Sequence, residues 1–159
     1  MMPYRYGGFW KRSFAFLVDK MILLFICLIF LFVGLSAMSA GFNSIEPAMI
    51  MERFIIVYYL LTHLLGMLYF TYFHGTTGQT PGKMLFGLQV IQSSGEKMTP
   101  GIAFLRWVGY IFSGLIFYLG FLWIAFDGKK QGWHDKIAGT VVIYRQEEFS
   151  GSETDQKMP

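Results

Sequence analysis

Apolar residues along this chain come in long unbroken runs, not at the three- and four-residue intervals of a soluble amphipathic helix. The first run, MILLFICLIFLFVGLSAM at residues 21–38, has about the 18 to 20 residues needed to cross a hydrocarbon layer about 30 Å thick. Lys11 and Arg12 precede it and Asp19 and Lys20 stand at its threshold. A secretory apolar region is usually about 7 to 15 residues and would not carry such a charged pair, so the run predicts an uncleaved transmembrane helix beginning near Phe9 or Lys11. A second run, FIIVYYLLTHLLGMLYFTYF within residues 53–73, is also long enough to span. The third, residues 101–126, contains Ser113, Gly114 and Gly120 and has Arg106 near its start. Its length permits one crossing. That crossing would leave Lys129, Lys130 and Lys136 outside, against the preference of basic residues for the cytoplasmic face. A hairpin with arms of about 10 to 12 residues would be re-entrant and keep both ends on one side, and both forms stay open.

Between and after the runs the pattern changes. Leu88, Val90 and Ile91 read as a short strand followed by a Ser93-Ser94-Gly95 turn, and AGTVVIYR at residues 138–145 reads as its natural partner. Thr99 and Pro100 fit an N-cap and a first helical residue. The predicted fold is an all-α membrane protein, a small helical bundle of two transmembrane helices plus a third hydrophobic segment, with a short cytoplasmic β-ribbon. Residues 1–145 form the membrane domain, and the aperiodic polar stretch 146–159 is expected to be a disordered tail.

Composition supports this and narrows the function. Of the 159 residues 54% are hydrophobic and only 14% charged, which is the balance of a membrane protein. The net charge of +3 comes from lysines and arginines dispersed around the apolar runs, so nucleic acid is not an expected partner. Residues 39–52 hold Glu46 and Glu52 and no basic residue. The charge rule therefore puts that loop outside and the N-terminus inside, in a multi-pass protein of the plasma (cytoplasmic) membrane. Cys27 is the single cysteine and lies within an apolar run, as a small hydrophobe does.

The stretch HGTTGQTPGKMLFG at residues 74–87 has the glycines of a phosphate loop but not its spacing. Only three residues separate Gly78 from Gly82, and Met84 stands where a hydroxyl should follow Lys83. These glycines instead suit a tight turn into the ribbon, with Lys83 directed toward headgroup phosphates. Arg12 and Asp19, seven residues apart, share a helix face but lie about 10 Å apart along it. Each is therefore expected to find its partner on another segment. Asp19 with Arg106 is the preferred pair; snorkelling of Asp19 and Lys20 to the headgroups is the alternative. His63, near the middle of the second run, could relay protons or be a neutral side chain bonded to a neighbour. His63, His74 and His134 lack the spacing of metal ligands, so no metal is expected. His134-Asp135 has no nucleophile or oxyanion hole beside it in the sequence, and neither an enzyme nor a cofactor is indicated.

Four features stand in a characteristic order: Arg12 and Asp19 in the first helix; GQTPGKMLFGLQVI, with Gly78, Thr80, Pro81, Gly82 and Lys83; Arg106; and GWHDKIAGTVVIYR, with His134, Asp135, Gly139 and Thr140. Over roughly residues 4–145 the chain resembles the RDD family of small, mostly bacterial membrane proteins, named for an arginine and two aspartates. The resemblance implies that Arg12 is the family arginine, Asp19 the first aspartate, and Asp135 or the nearby Asp127 the second. It implies transport of a small ligand, or exchange of cations for protons; on that reading Arg12, Asp19, Arg106 and Asp135 would line a polar path and His63 would exchange protons. Three hydrophobic segments cannot enclose a path alone, so besides the lipid bilayer a homo-oligomer or a membrane partner protein is expected. The alternative is a non-catalytic membrane adaptor or assembly factor whose ribbon presents a cytoplasmic docking surface, where a sheet edge could add a partner strand.

Overall fold

The computed structural model describes residues 4–40, 47–115 and 119–145; the polar tail 146–159 and Glu46 lie outside them. Two long helices, α1 (Phe9–Ala40) and α2 (Pro47–Thr77), have 32 and 31 residues. At about 1.5 Å per residue each is about 46 to 48 Å long, more than a hydrocarbon layer requires. They run antiparallel: Tyr69 reaches Asp19, the Tyr58 hydroxyl donates to the Cys27 carbonyl at 3.2 Å, and Gly34 abuts Phe54. Beyond Leu23, α1 exposes Leu24, Phe25, Leu28, Ile29 and Phe32 on several sides, as a helix solvated by lipid does. From Asp19 to Ala40 is about 32 Å along the axis, one hydrocarbon thickness. The first turns of α1 therefore stand beyond the apolar layer.

Around those turns the remaining elements form a head: α3 (Pro81–Leu85), β1 (Leu88–Gln92), α4 (Pro100–Leu115), α5 (Leu119–Leu122) running into a 3-10 turn (Trp123–Ala125), α6 (Trp133–Ile137) and β2 (Thr140–Tyr144). Local chemistry starts them where the sequence indicates. Thr80 caps α3, its hydroxyl accepting from the Lys83 N–H at 3.3 Å, and Pro81 takes the first helical position. The Thr99 hydroxyl accepts from the Ile102 N–H at 3.4 Å at the start of α4.

The two expected strands pair, antiparallel, with Val90 opposite Val142. Period-two alternation puts Leu88, Val90 and Val142 against Ala15, Met98 and Ala103, and Ile91, Val141 and Ile143 on the other face beside Tyr6. Both ribbon edges are engaged. Along β1 the Val90 N–H donates to the Gly78 carbonyl at 2.8 Å, and Gln79 Nε2 donates to the Leu88 carbonyl at 2.7 Å. Along β2 the Gly7 N–H donates to the Val142 carbonyl at 2.9 Å, and the Tyr144 N–H to the Arg5 carbonyl at 3.0 Å. The edge expected to accept a partner strand is thus already occupied on either side.

The third hydrophobic segment is bent. Its two helical parts diverge by 111°, and Gly120 lies so close to Ser113 that an added Cβ would fall 2.7 Å from the Ser113 Cβ. Past the bend, α6 packs on the middle of α4, where a Cβ at Gly109 would come 2.7 Å from the His134 Cα.

Candidate functional site

On α1 the buried positions Arg12, Ala15, Asp19 and Leu23 recur every three or four residues, so one face carries both charges into the head. The carboxylate of Asp19 is fully enclosed. It accepts from the Thr80 hydroxyl at 2.5 Å, the Gly82 N–H at 2.8 Å and the Tyr69 hydroxyl at 2.9 Å, tying α1 to α2 and α3. The approach is tight: a Cβ on Gly82 would lie 2.1 Å from the Ala15 carbonyl oxygen, so only glycine fits there.

The expected Asp19–Arg106 pair is not formed. Arg106 Nη1 lies 2.5 Å from Asp135 Oδ1, and Arg12 bonds the other oxygen, Oδ2. Asp19 is already satisfied by hydroxyls and a backbone amide, leaving Asp135 as the carboxylate that both guanidiniums share. The Gly132 N–H also donates to Asp135 Oδ2, at 2.9 Å. Arg12 donates further to the Lys130 carbonyl, and Arg106 to the Thr140 hydroxyl at 2.6 Å and the Tyr110 oxygen at 3.1 Å. Burial alone would raise the Asp135 carboxyl, but Arg106 and Arg12 hold it well below the usual carboxylate range. Of the two candidates for the second aspartate, Asp135 occupies this cluster. Asp127 instead pairs with the exposed Lys136 at 2.7 Å.

Lys83 corrects the expectation of an exposed surface anchor. The turn of α3 points it inward, where it is 4% exposed with Nζ 3.0 Å from His74 Nε2. An ammonium can only donate, so this contact needs a neutral imidazole with its lone pair on Nε2. Burial, then the nearby Arg106 charge, lower the Lys83 ammonium from its ordinary 10.5 to about 7. His134, also read as part of a surface motif, is 2% exposed, and burial pushes its imidazole well below the ordinary value. Gly139, at φ 62°, makes the turn from α6 into β2. His63 lies apart from the cluster on an exposed face of α2, with Nδ1 2.9 Å from the Tyr59 carbonyl.

Tyr69 and Tyr110 were not placed in a cluster from sequence, while His74 was weighed only as a metal ligand and Ser113 only as a break in the third run. Tyr110 stands one helical turn after Arg106 and His74 one turn after the buried Phe70, so helical spacing from a known inward residue was the available signal. Ser113 Oγ lies 3.3 Å from His134 Nδ1, and His134 Nε2 lies 3.5 Å from Asp135 Oδ2. The row has the residues of a hydrolytic triad, but Gly120 seals the buried hydroxyl. No group of three His, Cys, Asp or Glu side chains suited to a metal occurs among the described residues.

Beside the cluster is a cavity of about 440 Å³ between α1 and the α5 region. Arg12, Lys20, Lys83 and Arg106 contribute to its lining, together with aromatic and aliphatic side chains.

The RDD family matches residues 6–139. Among similar proteins, the "Uncharacterized protein YxaI" of Bacillus subtilis is 36% identical over 148 residues, covering 87% of this chain and 97% of that protein. The "Uncharacterized membrane protein YteJ" of the same organism is 30% identical over 155 residues, covering 92% and 85%. A "Proline-rich antigen homolog" of Mycobacterium tuberculosis is 30% identical over 73 residues, 45% of this chain and 30% of that protein. No solved structure matches significantly. The match runs through both long helices, the glycine loop and the helix bearing Asp135, and the chain belongs to the RDD family of membrane proteins.

Proposed function

We propose that the chain is the subunit of an oligomeric transporter in the cytoplasmic membrane, with its N-terminus and head on the cytoplasmic side, and that it moves a small ligand together with a proton carried by Lys83. The observation that carries this reading is the state of Lys83. It is buried, lines a cavity, touches His74 and has no carboxylate within ion-pair distance among the described residues. An ordinary lysine stays protonated at every physiological pH, whereas one near 7 is charged below neutrality and uncharged above it. With Lys83 neutral, Arg12 and Arg106 balance Asp19 and Asp135; a proton on Lys83 leaves one positive charge unmatched, which favours an anion beside it. Exchange of a cation for protons has less support, because no carboxylate is among the residues lining the cavity. We read the site as non-catalytic, since the Ser113 hydroxyl is enclosed by Gly120. The adaptor reading loses its simplest route, strand addition, to the occupied ribbon edges.

The test is dissipation of an imposed pH gradient in sealed liposomes containing anionic lipid. The purified protein should collapse the gradient faster than protein-free liposomes do, and Lys83→Met should return the rate to the protein-free level while unfolding stays cooperative. An intact gradient, or a Lys83→Met variant as fast as the parent, would overturn the reading. Asp19→Asn is the poorer probe, because Asp19 holds α3 in place.

A further inference from the structure

The cavity has two unlike ends. Its mouth is bounded by Trp10, Phe14 and Leu17 of α1, which are 71%, 50% and 55% exposed, and by Leu122. Counted along α1, these side chains lie from the headgroup level of Asp19 and Lys20 outward, so the mouth opens at the membrane interface, where aromatic side chains gather. Its lining includes four cationic side chains, of which Arg12, Lys83 and Arg106 are buried and Lys20 is exposed. Arg12 and Arg106 are both committed to Asp135. Neither Lys20 nor Lys83 has a carboxylate within ion-pair distance among the described residues. Lys20 instead lies over the Phe16 and Phe70 rings, at 5.2 and 5.9 Å from their centroids, and Lys83 meets His74. A buried ammonium with no counter-charge is costly to hold, and an entering anion would relieve it.

We propose that this cavity binds the phosphate headgroup of one anionic phospholipid taken from the inner leaflet, with Lys83 and Lys20 holding the phosphate and the acyl chains running back along α1 past the exposed Met21 and Leu24. Apolar walls leading to a few convergent donors are the general form of a small-molecule site, and about 440 Å³ falls in the lower part of the usual range of about 300 to 1,000 Å³. That is room for a headgroup and its nearest methylenes while the rest of the lipid stays in the bilayer. The position agrees with this: Asp19 and Lys20 stand one hydrocarbon thickness from the far end of α1, at the level where anionic headgroups gather. The inference rests on the transport reading for treating the cavity as a working site. It holds whether the lipid is cargo or a permanent companion.

Native mass spectrometry of the delipidated full chain in detergent tests it. The protein is titrated with phosphatidylglycerol and phosphatidylcholine of the same acyl chains, and separately with phosphatidylglycerol in the presence of inorganic phosphate. One phosphatidylglycerol should bind, roughly tenfold or more tighter than phosphatidylcholine, and Lys83→Met and Lys20→Gln should each weaken it by a similar factor. Lys20 is exposed, so Lys20→Gln decides the matter if the Lys83 variant does not fold. Equal binding of the two lipids, or unchanged binding in the folded variants, would overturn the inference. Displacement of the lipid by equimolar inorganic phosphate would assign the site to a soluble anion and overturn it as well. Binding is read without a membrane gradient, so lipid binding without proton flux would sink the transport reading and leave this one standing.

Discussion

Two guanidiniums and one carboxylate, each no more than 6% exposed, meet where α1, α4 and α6 converge. Desolvating three charges is tolerable only because each is also hydrogen-bonded, Asp135 by the Gly132 amide and the arginines by Lys130, Thr140 and Tyr110. Asp135→Asn keeps the shape and removes the charge, leaving Arg12 and Arg106 uncompensated. Stability should fall by about 3 to 5 kcal/mol, seen as a lower thermal midpoint in detergent. The matching change at the outlying pair, Asp127→Asn, should cost less than about 1 kcal/mol. Equal losses would contradict the assignment of Asp135 to the cluster. The sequence revealed that Arg12, Asp19 and Arg106 were too costly to leave among apolar residues, but not whom they bond. A seven-residue spacing fixes a common face, whereas the partners of Asp19 are two hydroxyls and an amide, groups that carry no charge pattern to read.

The two long helices were legible because their apolar runs matched a bilayer's thickness, and the strands because β-branched residues lay between turns. The start of α1, expected near Phe9 or Lys11, falls at Phe9, because Arg12 and Asp19 face protein instead of ending the helix at the membrane surface. The five-residue helices α3 and α6 are too short to show a period, and without them Lys83 and His134 read as surface residues. α3 also fixes how closely the glycine loop meets α1. Gly82→Ala would drive a methyl group into the Ala15 carbonyl and should cost at least about 1 to 3 kcal/mol, as overpacking does. Gly101→Ala, with open space around its Cβ position, should be neutral or stabilise α4 by up to about 1 kcal/mol. Chemical unfolding of both variants in mild detergent checks the contrast; a Gly82→Ala protein as stable as the parent would show that α3 can shift away.

As a whole, the molecule joins a thin lipid-exposed pair of helices to a polar head at one end. Single cysteines placed at Gly95 and Gly128 in a Cys27→Ser background should both react with an impermeant maleimide only from the cytoplasmic side. Labelling of position 128 from outside would mean that the third segment crosses the bilayer. Sequence left that choice open because charge and length pointed in opposite directions, and the bend against Ser113 is a packing fact with no periodic trace. The contact between Arg12 and Asp135 joins residues 123 positions apart, and the order of synthesis gives it a temporal meaning. Arg12 and Arg106 both precede Asp135, the carboxylate they share, so a chain cut short before residue 135 should keep both long helices yet unfold more readily in detergent than the full chain.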